Sequence, residues 1–127
     1  MLKLENITKQ TQRAKEFFEN RVAFTVGPVE LKEILEKNRN SIELIDVRSK
    51  EHFDKGHIPS AISIPGKDMK MHLNKLSKDK INVVYCYSQQ CHLGSKTALV
   101  LLENGFTVIE LEGGFNEWKN YDFDIVS

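Results

Sequence analysis

The sequence contains only two cysteines among its 127 residues, and they lie close together, at Cys86 and Cys91. Two cysteines in one short stretch cannot form a disulfide framework for the fold. In a reducing compartment, such a pair is reactive or inert rather than structural. The chain also lacks an excess of either charge, since 18 Lys and Arg balance 18 Asp and Glu. This balance argues against a nucleic-acid partner, and the absence of a polybasic block argues against a membrane surface.

Long apolar runs are also missing. Residues 1–6 lack the apolar core of a signal peptide, and no window approaches the ~18 apolar residues of a membrane span. We therefore expect a cytoplasmic protein. The sequence has no internal repeat, low-complexity tract or flexible linker, and its 127 residues are the size of one ordinary domain.

The N-terminal segment is strongly polar. Residues 5–20 carry a few apolar positions, which favour an amphipathic helix lying on the domain, although a partly frayed extension is an alternative. We predict a helical extension over residues 1–22, a domain over residues 23–127, and a first strand at residues 23–25.

Beyond the extension, strand and helix patterns alternate. Strands are predicted at residues 42–47, 61–64, 81–85 and 107–111, and helices at residues 29–37, 49–53, 68–76, 93–103 and 115–119. Short connections between alternating elements predict an α/β fold, a mainly parallel sheet with helices on both faces. Ligands of such sheets bind at the carboxyl ends of the strands.

Cys86 lies at one of these strand ends, between an apolar run and a polar loop that leads into a helix. Backbone N–H groups and a helix N-terminus converge at such a position, and both favour the thiolate over the thiol. We therefore interpret Cys86 as a candidate nucleophile. The alternative is a buried cysteine that acts as a small hydrophobic residue.

Four segments in order resemble those of single-domain rhodaneses, of the rhodanese-like sulfurtransferase family. They are the Asp-x-Arg strand end in residues 44–48, the Gly-His-Ile segment in 51–61, the strand and cysteine of 83–86, and the Gly-Gly…Trp motif in 111–118. The resemblance implies a single rhodanese-like domain in which Cys86 is the catalytic residue and carries sulfur as a persulfide, with no cofactor and no metal. The expected partners are a small sulfur donor and a thiol acceptor, or a protein persulfide carrier.

One departure from the family's sequence pattern affects the expected sulfur donor. The usual loop carries arginines at the positions of Tyr87 and Cys91, and related phosphatases and arsenate reductases require an arginine where this chain has His92. Without guanidinium groups, an oxyanion loses its main bidentate contact. We therefore expect weak activity with thiosulfate and a better donor in the persulfide of a small thiol or of a partner protein.

The other residues of the predicted site are expected to support the thiol. The active-site loop also includes Ser88, Gln89 and Gln90, and its N–H groups are expected to surround the terminal sulfur of the persulfide. His92 either adds positive charge near the thiolate or is an exposed residue at the helix start. The resemblance implies supporting roles for Asp46 and Arg48, which are expected to organise the loops at the strand ends.

The role of Cys91 stays open in the sequence. It is an inert replacement for arginine, a resolving thiol that forms a disulfide with Cys86, or a second persulfide carrier. A disulfide requires Cα atoms within ~7 Å, which spacing does not establish. A zinc site is disfavoured, because the two cysteines and His92 are one ligand short of four. Two alternative functions follow: a thiol–disulfide redox or sensing module, and a non-catalytic binding module with the rhodanese fold.

Overall fold

The computed structural model describes residues 3–127. Its helices are α1 (Lys3–Ile7), α2 (Thr11–Phe24), α3 (Pro28–Lys37), α4 (Lys50–Lys55), α5 (Leu93–Glu103) and α6 (Gly114–Asn120). Its strands are β1 (Thr25–Val26), β2 (Ile42–Asp46), β3 (Ile62–Ser63), β4 (Ile81–Tyr85) and β5 (Val108–Leu111).

The five strands form one parallel sheet in the order β1-β5-β4-β2-β3. Strand β4 is central and pairs with β2 along its whole length and with β5 on its other side. The prediction of an α/β fold with a mainly parallel sheet is confirmed. The residue that follows β4 therefore leaves the middle of the sheet at its carboxyl edge, where ligands of such folds bind.

Successive residues of a strand point to opposite faces of the sheet, so apolar side chains lie on both faces. Helices cover both of these faces. On one face, Leu31 of α3 and Trp118 of α6 pack against Val83 of β4. On the other face, Leu101 of α5 packs against Val84. The two buried clusters account for the continuous apolar character of β4, which has no solvent-facing side in its last four residues.

Two element predictions require correction. The helix predicted over residues 68–76 is two 3-10 segments, Gly66–Met71 and Leu73–Lys75. Its local periodicity is overridden by packing, since the buried side chain of Met69 anchors the first segment in the core beneath α5. The strand predicted at residues 23–25 begins later, because α2 continues through Phe24 and β1 covers only Thr25–Val26.

Helix α2 attaches to the sheet near its C-terminal end. The Arg21 guanidinium bonds the Glu112 carboxylate, and the Thr25 hydroxyl bonds the Arg21 carbonyl as the helix ends. No residue of α2 is buried. The division into an extension (1–22) and a domain (23–127) stays a prediction, and α2 ends two residues beyond that boundary.

Among residues 3–127, none of the helices combines the length and the apolar character needed to cross a membrane.

Candidate active site

Cys86 follows β4 directly and lies at the carboxyl edge of the sheet. Its side chain is only 3% exposed and belongs to the buried cluster beneath α5. The sheet holds this position from both sides: the Val47 N–H donates to the carbonyl of Tyr85 at 3.0 Å, and β5 pairs with Val84. Cys86 is therefore a rigidly placed thiol.

The loop that starts at Cys86 is held by the beginning of α6. The N–H of Phe115 donates to the Cys86 carbonyl and that of Asn116 to the Tyr87 carbonyl, both at 2.9 Å. This approach requires glycine at position 114, where φ is +61° and a Cβ would lie 2.7 Å from the Cys86 carbonyl oxygen. Gly113 also has a positive φ, of +83°, so the Gly-Gly pair makes the turn into α6, and Gly114 lets α6 contact the cysteine loop.

The two cysteines are brought together as free thiols. Cys86 is buried and Cys91 is half-buried, and the two thiols are close enough for each to shift the pKa of the other. Backbone N–H groups also lie near the pair: those of Tyr87 and Gly94 act to lower the pKa of Cys86, and those of Leu93 and Tyr87 act to lower the pKa of Cys91. The loop and the start of α5 thus direct N–H groups at both sulfurs.

Of the two thiols, Cys91 is the more acidic, because the pKa of Cys86 is raised and that of Cys91 is lowered. Burial raises the pKa of Cys86, and the contact with Cys91 raises it further, to about 12, against the smaller effect of the N–H groups. For Cys91, burial acts to raise the pKa, but the bonds from the Cys86 thiol and the backbone outweigh burial, so the pKa is lowered. The expected preference for a Cys86 thiolate is therefore not present in the resting pair, since the more exposed thiol ionises first.

Tyr87 occupies one of the positions where the family's arginine was expected, and its hydroxyl is engaged by residues at the start of α4. Its hydroxyl lies 2.8 Å from Nδ1 of His52, and the N–H of Ser49 donates to it at 3.4 Å. The same Nδ1 is 2.8 Å from the Ser49 hydroxyl, and Ser49 caps α4. Tyr87 therefore ties the cysteine loop to α4 and supplies no positive charge.

Asp46 and Arg48 form a buried ion pair next to the site. Arg48 donates to Asp46 from Nε and from its terminal nitrogen, the latter at 2.8 Å, and to the Gly56 carbonyl at 2.7 Å. Its guanidinium also lies 3.9 Å from the centre of the Phe115 ring. These contacts join the end of β2, the end of α4 and the start of α6, and they engage the guanidinium in structural bonds.

The remaining loop residues have separate positions. The N–H of Cys91 donates to the Ser88 carbonyl at 3.2 Å, which closes a turn. The Gln89 side chain accepts a bond from the Gly113 N–H at 2.7 Å. Gln90 and His92 are exposed, and the His92 carbonyl accepts from the Lys96 N–H at 2.9 Å as α5 begins.

Glu110 belongs to the site, although the sequence reasoning missed it. It pairs with Val84 across β4 and β5, and its carboxylate accepts from the Ser95 hydroxyl at 3.0 Å. A Cβ on Gly94 would lie 2.3 Å from this carboxylate and 3.7 Å from the Cβ of Cys86. The available signal was a charged residue inside a strand predicted to be buried.

The Glu110 carboxylate places negative charge beside the thiols. Burial raises its pKa, and the bond from Ser95 and the charge of His92 offset this only in part. Its charge acts in turn to raise the pKa of Cys91. An anionic ligand near the sulfurs is therefore opposed by a carboxylate, while the described part of the chain brings no loop guanidinium to it.

Among the residues that the structure describes, no group of three or more His, Cys, Asp and Glu side chains is arranged to hold a metal ion.

The comparisons with known proteins agree with the fold. The model of the family described as Rhodanese-like domain matches residues 27–121. A Bacillus subtilis relative named "Putative sulfurtransferase YtwF" is 33% identical over 94 residues, 74% of this chain and 88% of the relative. A Coxiella burnetii relative named "Thiosulfate sulfurtransferase GlpE" is 32% identical over 82 residues, 64% of this chain and 75% of the relative. Other curated relatives are longer, and the chain spans 25%, 37% and 60% of three of them.

A solved structure extends the match into the N-terminal helices. The crystal structure of BH2092 protein from Bacillus halodurans is 28% identical, has a TM-score of 0.82 and covers 93% of this chain and 87% of its own. The part of this chain left unmatched is shorter than α2, so at least part of α2 has a counterpart there.

Proposed function

This chain belongs to the rhodanese-like domain family, and we propose that it is a sulfurtransferase that carries sulfane sulfur as a persulfide on Cys86. One observation carries this proposal: Cys86 directly follows the central strand at the carboxyl edge of the sheet, where the N–H groups of Tyr87 and Gly94 act to lower the pKa of its thiol. Those donors are positioned to stabilise charge on sulfur during transfer. We further propose a cytoplasmic location, because a reducing compartment keeps two neighbouring thiols reduced between cycles.

The proximity of the two thiols and the lowered pKa of Cys91 give Cys91 the part of a proton acceptor. As a donor persulfide R–S–SH approaches, the proton of Cys86 passes to the Cys91 thiolate, and the Cys86 thiolate attacks the outer sulfur of the donor. The new S–S bond to Cys86 forms as the donor S–S bond breaks, and R–S⁻ leaves with the bonding pair. An acceptor thiolate R′–S⁻ then attacks the terminal sulfur, becomes R′–S–SH and regenerates the Cys86 thiolate.

The charges around the thiols favour a persulfide donor over thiosulfate. Thiosulfate is a dianion, the Glu110 carboxylate lies beside the site, and the Arg48 guanidinium is engaged by Asp46 and Gly56. We therefore propose that the donor is the persulfide of a small thiol or of a partner protein. A small thiol, or a protein persulfide carrier, then accepts the sulfur.

Intact mass spectrometry of three proteins tests the carrier. Wild type, Cys86→Ser and Cys91→Ser are treated with thiosulfate or with glutathione persulfide, desalted and weighed, and then exposed to cyanide. We expect one added sulfur atom on wild type and Cys91→Ser, little of it from thiosulfate, and its loss to cyanide as thiocyanate. A labile sulfur atom retained by Cys86→Ser would refute the assignment, and efficient loading from thiosulfate would refute the donor preference.

A thiol–disulfide function is the second candidate, and the direct contact of Cys86 with Cys91 favours it. The Cys91 thiolate attacks the inner sulfur of a Cys86 persulfide, a disulfide forms, and HS⁻ leaves with the bonding pair. Alternatively, the two thiols reduce the disulfide of a small thiol and lose two electrons and two protons. Loss of two hydrogens from wild type, with sulfide release and no thiocyanate, would favour this function over sulfur transfer.

A further inference from the structure

An apolar groove runs from the cysteine loop between α2 and α5, along the edge of β5. Its volume is about 930 Å³, within the range of small-molecule sites. The apolar part of its lining consists mainly of Phe17, Phe24, Ala98, Leu99, Leu102 and Val108. Several of these side chains are strongly exposed, including Phe17, Phe24, Leu99 and Leu102. Helix α2 therefore stands over the domain without filling the space beneath it.

One end of the groove is polar and belongs to the active site. Gln89 of the cysteine loop, Ser95 and Glu110 all line it. Glu110 is the residue whose carboxylate packs on Gly94 beside Cys86 and acts on Cys91. Neither Cys86 nor Cys91 lines the groove, but its polar end lies next to the loop that holds them. A molecule with its apolar part under α2 therefore has its other end beside the cysteine loop.

The charge at this end is negative. Within the described residues, no lysine or arginine forms an ion pair with Glu110, although His92 is close enough for its charge to be felt. Arg21 also lines the groove, but its guanidinium is engaged by Glu112. A cationic group on the ligand complements the Glu110 carboxylate, and a carboxylate on the ligand is repelled by it.

We propose that this groove binds the sulfur-accepting substrate, a small aliphatic thiol that carries an ammonium group beside Glu110 and its hydrocarbon chain beneath α2. The inference rests on the proposed sulfur transfer for its catalytic consequence, but the binding site is independent of it. The transferred sulfur passes from the Cys86 persulfide to the acceptor thiolate, and Cys86 leaves as the thiolate, as in the cycle above.

Single-turnover transfer from preloaded Cys86 persulfide tests the acceptor class. 1-Aminoalkane-2-thiols and 2-mercaptoalkanoates of matched tail length are compared, because their thiol and charged group lie together at one end of the hydrocarbon tail. Each rate is divided by that of the same thiol with free glutathione persulfide. We expect the rate constant at limiting acceptor to rise roughly threefold to fourfold for each methylene buried. We also expect amines to exceed carboxylates roughly tenfold. Equal rates for both series, or no dependence on chain length, would overturn the proposal.

Three variants separate the charge effect from the apolar effect. Glu110→Gln is expected to remove the preference for amines and to retain the dependence on chain length. Leu99→Gln is expected to reduce the dependence on chain length. Val29→Gln on α3 is the matched control, because Val29 and Leu99 are each 57% exposed and Val29 lies outside the groove. An equal effect of Leu99→Gln and Val29→Gln would contradict the assignment of the groove.

Binding is also measured without any sulfur chemistry. Hexylamine and hexanoate are titrated into the reduced wild-type protein, and backbone amide shifts are followed by NMR. We expect hexylamine to shift the amides of Ser95, Leu99 and Glu110 and to bind roughly tenfold more tightly than hexanoate. Amide shifts confined to other surfaces would overturn the proposal. A dimer in sedimentation experiments, with a second copy of the chain covering the groove, would also overturn it.

The two proposals fail in different ways. If persulfide on Cys86 passes to cyanide but hexylamine does not bind, the groove proposal is wrong and sulfur transfer stands. If hexylamine binds in the groove but no sulfur reaches cyanide, sulfur transfer is wrong and the binding site stands without its catalytic role.

Discussion

The coupling between Cys86 and Cys91 leads to a quantitative prediction about thiol ionisation. In wild type, the pKa of Cys86 is raised to about 12 by burial and by its contact with Cys91, and that of Cys91 is lowered. A thiol with a pKa of 12 is only ~1% ionised at pH 10. Two independent thiols with a pKa of 9 would together carry about 1.8 thiolates at the same pH. Wild type is therefore expected to carry about one thiolate per chain at pH 10.

Thiolate absorbance near 240 nm measures this number directly. The double variant Cys86→Ala/Cys91→Ala supplies the baseline and removes the contribution of tyrosine, and circular dichroism confirms that the fold persists at each pH. In Cys91→Ala, the pKa of Cys86 is expected to fall, because the neighbouring charge and hydrogen bond are gone, although burial still raises it. In Cys86→Ala, the pKa of Cys91 is expected to rise, because its thiol donor is lost. A change of one pKa unit alters the ratio of thiolate to thiol at a given pH tenfold.

Three results would refute this reasoning. Nearly two thiolates per chain in wild type at pH 10 would show that neither burial nor coupling suppresses ionisation of Cys86. Identical titrations in wild type and the single variants would show that the thiols do not interact. A higher pKa of Cys86 in Cys91→Ala than in wild type would reverse the roles, with Cys91 donating to a Cys86 thiolate.

The remaining predictions concern stability and are read from urea unfolding. Gly114→Ala is expected to lower the free energy of unfolding by ~1–3 kcal/mol or more, because its φ of +61° disfavours a side chain and the added Cβ meets the cysteine loop. Gly27→Ala is the control, since nothing lies within 4 Å of its Cβ position, and an equal loss there would contradict the explanation. Asp46→Asn is expected to cost ~3–5 kcal/mol, because it leaves the Arg48 charge buried without its partner. Asp54→Asn removes a carboxylate from the exposed ion pair with Lys50 and should lower the free energy of unfolding by less than ~1 kcal/mol. Similar losses for Asp46→Asn and Asp54→Asn would contradict the role of burial.

Much of the fold was predictable because its signals are local. The apolar run before Cys86 predicts a buried strand whatever its neighbours are, and Ser49 predicts a helix start because a hydroxyl can accept from a backbone N–H nearby in sequence. The segment of residues 68–76 was predicted less well. Its helical periodicity is real, but Met69 is drawn into the core beneath α5, and that contact is absent from any local window.

The candidate site also combines features that local sequence predicts with features that only tertiary contacts create. Position alone singled out Cys86 as a candidate, because a residue at the carboxyl end of a central parallel strand faces the binding edge of the sheet. The direction of its pKa could not be predicted, since it depends on how deeply the thiol is buried and on where Cys91 turns back to it. Glu110 lies 24 positions further along the chain than Cys86, and only the pairing of β5 with β4 brings it beside the cysteine loop.

The sequence by itself determined the α/β alternation, the position of the candidate thiol and the lack of loop arginines, because these depend on residue type and spacing along the chain. Tertiary structure alone decided that the two thiols lie close enough to shift each other's pKa, that a carboxylate lies beside them and that an apolar groove opens beneath α2. The physical reason is that ionisation and binding depend on distances and burial between residues far apart in sequence, which the packing of the sheet and helices sets.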